Sequence, residues 1–359
     1  MQASEKTPFN KYHHDLHARM GDFAGWELPM WYTSILEEHK ATRNAIGMFD
    51  VSDMGRIWVT GTGAGAFLGK VLTRGVEQLE VGSSHLDLMC LENGGILDDL
   101  FVYHLDADEY LIVWNAGHAD EKLDWLSQWL EPNMNVTIKD KSRDTAMIAI
   151  QGLAVRQLKI LKEVFQLAQF GVTKTHIERL DAYIARTGYT GEDGFEIVSD
   201  VPTGLRLWQL FIEHGIKPCG LGARDILRLE AGMLLCGQDM DASTNPFEAV
   251  LGWLVDLAHG DFIGKSALLE IKRKGIKRKL IGFTMKDRGI ARTGYRITNS
   301  GEDVGKVTSG GYSPTLDANI GFGYVPIDMS SIGTHLEIVI RNRIVPAEVV
   351  SKRFYKRRR

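Results

Sequence analysis

Between residues 85 and 115 the chain spells out three consecutive strands. Residues 85–91 and 96–105 are apolar-rich and are separated by Glu92–Asn93–Gly94–Gly95, a strong hairpin turn signal. An Asp-rich turn at 106–108 then leads into EYLIVWN, 109–115. Three strands joined by tight turns can only be antiparallel neighbours, so this region must form a meander. Helical patterns flank it at 33–46, 63–72, 119–130, 153–168, 202–214 and 222–235, and further strands are expected at 56–60, 145–150 and 183–186. Ser34 followed by Glu37 reads as a capping box opening the first of these helices. Antiparallel strands interrupted by helices give an α+β fold class.

After residue 275 the texture changes to short β-rich segments punctuated by Gly, Asn and Ser, which predicts a separate all-β barrel or sandwich. The basic stretch Lys272–Lys279 is expected to be the linker. A length of 359 residues exceeds one ordinary hydrophobic core, in keeping with several domains. The boundaries expected are 1–50 with 140–260, 51–139, and 275–359.

Charge and cysteine content narrow the function. A net charge of −4 favours neither nucleic acid nor an anionic membrane as partner. The tail KRFYKRRR, 352–359, is a local basic exception. Cys90, Cys219 and Cys236 lie far apart without a CxxC pair, which supports neither a disulfide framework nor a cysteine zinc site. The histidines have no metal-ligand spacing, and no GxSxG or Cys–His signature suggests a covalent nucleophile. The N-terminal stretch reads as neither signal nor transit peptide, and no apolar run is long enough to span a membrane. The expectation is a soluble, cytoplasmic protein.

Four stretches could carry chemistry. In GGILDDLFVYHL, 94–105, alternation puts Asp98 on one strand face and Asp99 on the other, with Phe101 and Tyr103. Asp99 beside an aromatic wall could hold a flat heterocycle with donor nitrogens, or the Asp pair could simply bond backbone or an arginine. In RTGYTGEDGFEI, 186–197, closely spaced glycines would project Tyr189 and Glu196 with fixed geometry, or form an acidic surface turn. In GLGARDILRLEAG, 220–232, Arg224 falls in the first turn of a helix, where a cation opposes the dipole. That position calls for an anionic partner, unless Arg224, Arg228 and Glu230 form an ion-pair face. In DFAGWELPMWY, 22–32, Trp26, Trp31 and Tyr32 could stack a ring or fill a core.

Taken together these stretches resemble the aminomethyltransferase (T-protein) of the glycine cleavage system and the wider family of tetrahydrofolate-dependent methyl- and aminomethyltransferases. The likeness also runs through IGMFDVSDMG, GQDMD, TNPFEAVLGW, DFIGK and VTSGGYSPTL, spread over nearly the whole chain in the family's order. It implies three domains around a central folate-binding cavity, the last a small β-barrel. It implies Asp99 as the catalytic acid beside the pterin, with Phe101 and Tyr103 lining the same pocket. Asn115, Tyr189, Glu196 and Arg224 match folate-contacting positions, with Met54 and Trp253 as further pocket residues. The implied reaction takes an aminomethyl group from a lipoylated carrier protein, releases ammonia and forms 5,10-methylenetetrahydrofolate. A tail arginine would be a second cation facing the folate glutamate.

The chain departs from the usual T-protein pattern at Asp53, where the family carries His, and at Leu86, at Gln169 within AQFGV, and at Cys236. Asp53 is therefore a candidate substrate residue that would favour a cationic donor. The runner-up activity is methyl transfer from a small sulfonium, N-methyl or O-methyl compound. A third reading is a non-enzymatic folate-binding accessory protein, though the Cys236–Gly237–Gln238 segment lacks the Lys–Gly that precedes the accessory family's motif.

Overall fold

The computed structural model describes residues 4–357, so Arg358 and Arg359 of the basic tail lie outside the described residues. The chain divides into two compact units. The first runs to Val71 and adds Gly75–Asp87 and Asp99–Arg224; the second comprises Leu72–Arg74, Leu88–Asp98 and the chain from Asp225 onward.

The meander is present. A five-stranded sheet has the order Ser84–Cys90, Ile96–Asp106, Glu109–Trp114, Gly55–Thr60, Thr137–Asp140. Leu100 pairs with Trp114 and Phe101 with Val113 in antiparallel register. The first unit also holds a six-stranded sheet, ordered Val172–Ile177, Leu180–Ala185, Gly194–Asp200, Thr145–Gln151, Gly47–Asp50, Lys217–Pro218. The helix Val201–Glu213 covers it. Its Asp200 cap accepts from the Thr203 N–H, and its buried face Gly204, Leu207, Trp208 and Phe211 follows the i, i+3, i+4, i+7 pattern. That face packs with Ile148, Ile150, Phe195 and Ile197 in one core. The N-cap half of the expected capping box is present: Ser34 Oγ accepts from the Glu37 N–H at 3.2 Å and opens the helix Ile35–Asn44.

Two sequence expectations are corrected. The segment 153–168 is not one α-helix but two 3₁₀ pieces, Val155–Gln157 and Lys159–Val164, parted by an extended Leu158. The reason lies in the apolar spacing. Val155, Leu158, Leu161 and Val164 recur every third residue and all are buried in the same core. A period of three aligns on a 3₁₀ helix and drifts around an α-helix. The basic stretch Lys272–Lys279 is not a linker. Lys272, Arg273 and Lys274 form the last turn of the helix Lys265–Lys274, where cations suit the dipole, and Gly275 ends it at a positive φ of 80° that glycine tolerates.

The second unit carries a closed barrel, ordered Arg278–Met285, Ala318–Pro326, Glu302–Ser313, Arg296–Asn299, His335–Ile340, Arg343–Val350. Alternate residues such as Ile281 and Phe283, Leu336 and Ile338, and Val345, Ala347 and Val349 fill it. Closure removes the sheet edges that open strands would leave unpaired. Among the described residues no helix is long and apolar enough to cross a membrane.

Candidate active site

Strand alternation puts the two aspartates on opposite strand faces, although a carboxylate oxygen of each still lies within 4.8 Å of the other. Asp98 is 1% exposed, on the buried face with Ile96, Leu100 and Val102, whereas Asp99 is half-buried on the opposite face. The register that pairs Leu100 with Trp114 brings Asn115 opposite Asp99. The Asn115 amide donates two 3.0 Å bonds, to the Asp99 backbone carbonyl and to its Oδ1. One side chain thus reads both ends of Asp99 and restricts its rotamer. Along the same face the Phe101 and Tyr103 rings stack with centroids 5.9 Å apart, and Phe170 extends the row 6.2 Å from Phe101. Phe170 was not singled out from sequence. It sits at positive φ in an irregular segment, with no strand or helix period to place it.

The row leads to a second acid. Glu196 lies on the strand Gly194–Asp200 and is 6% exposed. Its Oε2 accepts from Thr187 Oγ1 at 2.5 Å and from the Tyr103 hydroxyl at 3.3 Å. Burial, reinforced by the Glu196 charge, pushes the Tyr103 phenol well above its usual pKa, so it stays a donor.

The RTGYTGEDG segment is not an acidic surface turn. Thr190 and Glu192 are buried, and its charges are matched internally: Glu192 pairs with Arg43 at 2.8 Å, and Asp193 receives a fork of bonds from Arg186 at 2.8 and 2.7 Å. Its glycines make room for Gln151. A Cβ on Gly188 would lie 1.9 Å, and one on Gly194 2.3 Å, from the Gln151 side chain. Gln151 then bonds the Thr187 carbonyl and the Thr190 hydroxyl, both at 3.0 Å.

A third cluster surrounds Arg224, in the first turn of the helix Leu221–Ala231. Its guanidinium lies 4.9 Å from the Tyr189 ring centroid, and its Nη2 is 3.9 Å from Met54 Sδ. Its Nη1 is buried without a hydrogen-bond partner among the described residues. The ion-pair face of Arg224, Arg228 and Glu230 does not form. Arg228 bonds Asp225 and Asp239, and Glu230 accepts from Ser313 and Thr315.

Asp53 belongs to the Arg224 cluster. Burial first, then the neighbouring Asp50 charge, raise its carboxyl to about 6, against the pull of Arg224 and Arg56. Arg56 clamps this loop by donating to the Ser52 and Met54 carbonyls. Beneath it, buried His13 bonds Asp50 Oδ2 through Nε2 and Tyr32 Oη through Nδ1, each at 2.9 Å. Tyr32 is thus part of a hydrogen-bonded chain. Sequence reasoning missed His13, which sits in a six-residue helix too short to show a period.

Comparison with known proteins decides the relationship. The GCVT N-terminal domain family matches residues 9–259, and the glycine cleavage T-protein C-terminal barrel domain matches residues 278–356. The chain belongs to the glycine cleavage T-protein family. It is 43% identical over 358 residues to the aminomethyltransferase of Herpetosiphon aurantiacus, covering 99% of both chains. It is 44% identical to that of Halothermothrix orenii, covering 98% of this chain and 99% of the relative. The crystal structure of the glycine cleavage system aminomethyltransferase T from Bartonella henselae superposes with a TM-score of 0.93 at 32% identity, covering 99% of each chain. The chain is therefore an enzyme, an aminomethyltransferase.

Within this T-protein's first unit, Asp99 and Asn115 form one group, Phe101, Tyr103 and Glu196 a second, and Met54, Tyr189, Arg224 and Asp53 a third. Trp253 belongs to the second unit, on the 3₁₀ turn Gly252–Leu254, and is 66% exposed. Among the departures from the usual T-protein pattern, Leu86 is half-buried on the strand Ser84–Cys90 and Gln169 is exposed. Half-buried Cys236 lies 3.6 Å from the Leu97 carbonyl, to which its thiol donates.

Proposed function

We propose that this aminomethyltransferase uses tetrahydrofolate as one-carbon acceptor and a lipoylated carrier protein as donor, with Asp99 as the catalytic carboxylate. The observation that carries the reading is the Asp99 carboxylate, oriented by Asn115 on a strand face shared with Phe101 and Tyr103. The donor set suits a folate. A pterin offers a flat ring with N–H donors, matched by an aromatic row and the Glu196 carboxylate, and the folate glutamate offers an anion for an arginine with a buried unsatisfied nitrogen. Tetrahydrofolate supplies the nitrogen that receives the one-carbon unit.

The protein's part is electrostatic. An ionised Asp99 stabilises the positive charge that develops on the aminomethyl carbon and nitrogen as the lipoyl sulfur departs. Asn115 keeps the carboxylate from swinging away. Glu196, held by Thr187 and Tyr103, orients the ring, and Tyr189 and Arg224 take the more distant part of the ligand. Met54 lines that region. Asp53 faces the substrate side, and Asp53→His restores the residue usual in the family.

Steady-state assay of methylenetetrahydrofolate formation from aminomethyl-lipoyl carrier tests the scheme. Asp99→Asn is expected to lower kcat by roughly 10²–10⁴-fold with a small change in KM for tetrahydrofolate. Glu196→Gln is expected to weaken folate binding by about tenfold, since a charge-assisted bond becomes neutral. Ordinary turnover in Asp99→Asn would sink the assignment.

A further inference from the structure

Lys122 is a lysine inside the protein, 2% exposed, on the helix Ala119–Gln128. Lysine is almost never fully buried unless its charge is met. Its ammonium group lies 5.1 Å from the centroid of the Trp114 ring and donates to the backbone carbonyl of Asn115 at 2.5 Å. Trp114 ends the strand that pairs with the Asp99 strand, and Asn115 is the first residue beyond it. From Asn115 to His118 the chain is in neither strand nor helix, and His118 takes a left-handed conformation before the helix begins. Asn115 thus lies just past the last paired residue of the ladder. The lysine of the next helix reaches back to its carbonyl.

Asn115 is also the residue whose amide grips Asp99 at both its backbone and its carboxylate. The contacts form one chain: Trp114 and the Asn115 carbonyl hold Lys122, Lys122 holds Asn115, and Asn115 holds Asp99. We propose that Lys122 is a positioning residue for Asp99, acting through Asn115 to fix the carboxylate in its working orientation. This rests on the reading of Asp99 as the catalytic carboxylate. A hydrogen-bonded support of this kind matters because a reacting group displaced by about 1 Å can lose up to about a hundredfold in rate.

The test compares Lys122→Met, Lys122→Arg, Asn115→Ala and Asp99→Asn in the full-length enzyme, assayed with tetrahydrofolate and aminomethyl-lipoyl carrier. Lys122→Met is expected to lower kcat by about tenfold or more while KM for tetrahydrofolate stays within about twofold. Lys122→Arg, which keeps the charge and a donor, is expected to recover most of that loss. The double variant Lys122→Met with Asn115→Ala is expected to be no slower than Asn115→Ala alone, because both act through one contact. Lys122→Gln serves in place of Lys122→Met if the latter does not fold, its side chain being one atom too short to reach the carbonyl. Ordinary kcat in Lys122→Met or Lys122→Gln, or fully additive losses in the double variant, overturns the role of Lys122 alone, provided Asp99→Asn is slow. Ordinary kcat in Asp99→Asn overturns the reading of Asp99 and the role of Lys122 with it.

Discussion

Asp50 and Asp53 stand three residues apart and titrate in opposite directions. Burial acts to raise Asp50, but bonds from His13, Thr7 and the Ser52 N–H outweigh it, so the carboxyl sits below its usual pKa. It contributes stability that is present above the unfolded pKa and lost as pH falls through the lowered folded value. Asp53, raised to about 6, does the reverse. It is neutral in both states at low pH and costs stability as pH rises from the unfolded value through the folded one. From the usual 3.8 to about 6 is about 2 pH units, or up to about 3 kcal/mol. Asp53→Asn should therefore gain on wild type by up to about 3 kcal/mol between pH 4 and pH 8, read from urea midpoints. A difference independent of pH would contradict the raised carboxyl. The position of Asp53 was visible in the sequence as a departure from its family, but its environment was not. Asp50, Arg56 and Arg224 come to it from the strands Gly47–Asp50 and Gly55–Thr60 and the distant helix Leu221–Ala231.

Elements were legible where local chemistry and pattern agreed. Ser34 and Asp200 cap their helices as residue type predicts, and the strand Ile96–Asp106 alternates between its faces over most of its length. Ser34→Ala removes the side-chain acceptor of the Glu37 N–H and should cost about 1 kcal/mol in thermal or urea unfolding, leaving the fold intact. Legibility failed where two periods were close. A spacing of three in 155–164 was indistinguishable from a helical 3.6 over so short a run, and the core decided between them. Lys122 carried a signal that was overlooked. With Trp125 and Leu126 it falls at i, i+3, i+4, so a charge stood on the buried face of an amphipathic helix.

Across the whole molecule, each unit has its own core and its own buried polar ties. In the second unit Arg228, 1% exposed, bonds Asp239 at 2.6 Å and Ser309 of the barrel strand Glu302–Ser313 at 2.7 Å. Glu230, two residues on, accepts from Ser313 at 2.5 Å and from Thr315. The helix is thereby stitched to the barrel by charged groups removed from water. Arg228→Met would leave the buried Asp239 carboxylate without its hydrogen-bonded arginine, at a cost of about 3–5 kcal/mol in urea unfolding of the full chain. A loss below about 1 kcal/mol would mean that the pair is replaceable.

The sequence by itself determined the α+β class, the meander, the barrel texture, the opposite strand faces of Asp98 and Asp99 and, through its motifs, the family. These follow from short-range rules: a period of two, a turn tetrapeptide, a cap, a recognisable order of segments. Tertiary structure alone decided what each acid touches. Strand register sets the Asn115 amide against Asp99, and Lys122 reaches back from the next helix to the Asn115 carbonyl. Glu196 meets Tyr103 only because residues 93 positions apart are brought within a hydrogen bond. Such pairings depend on which elements pack together, and the local spacing of residues carries no record of that.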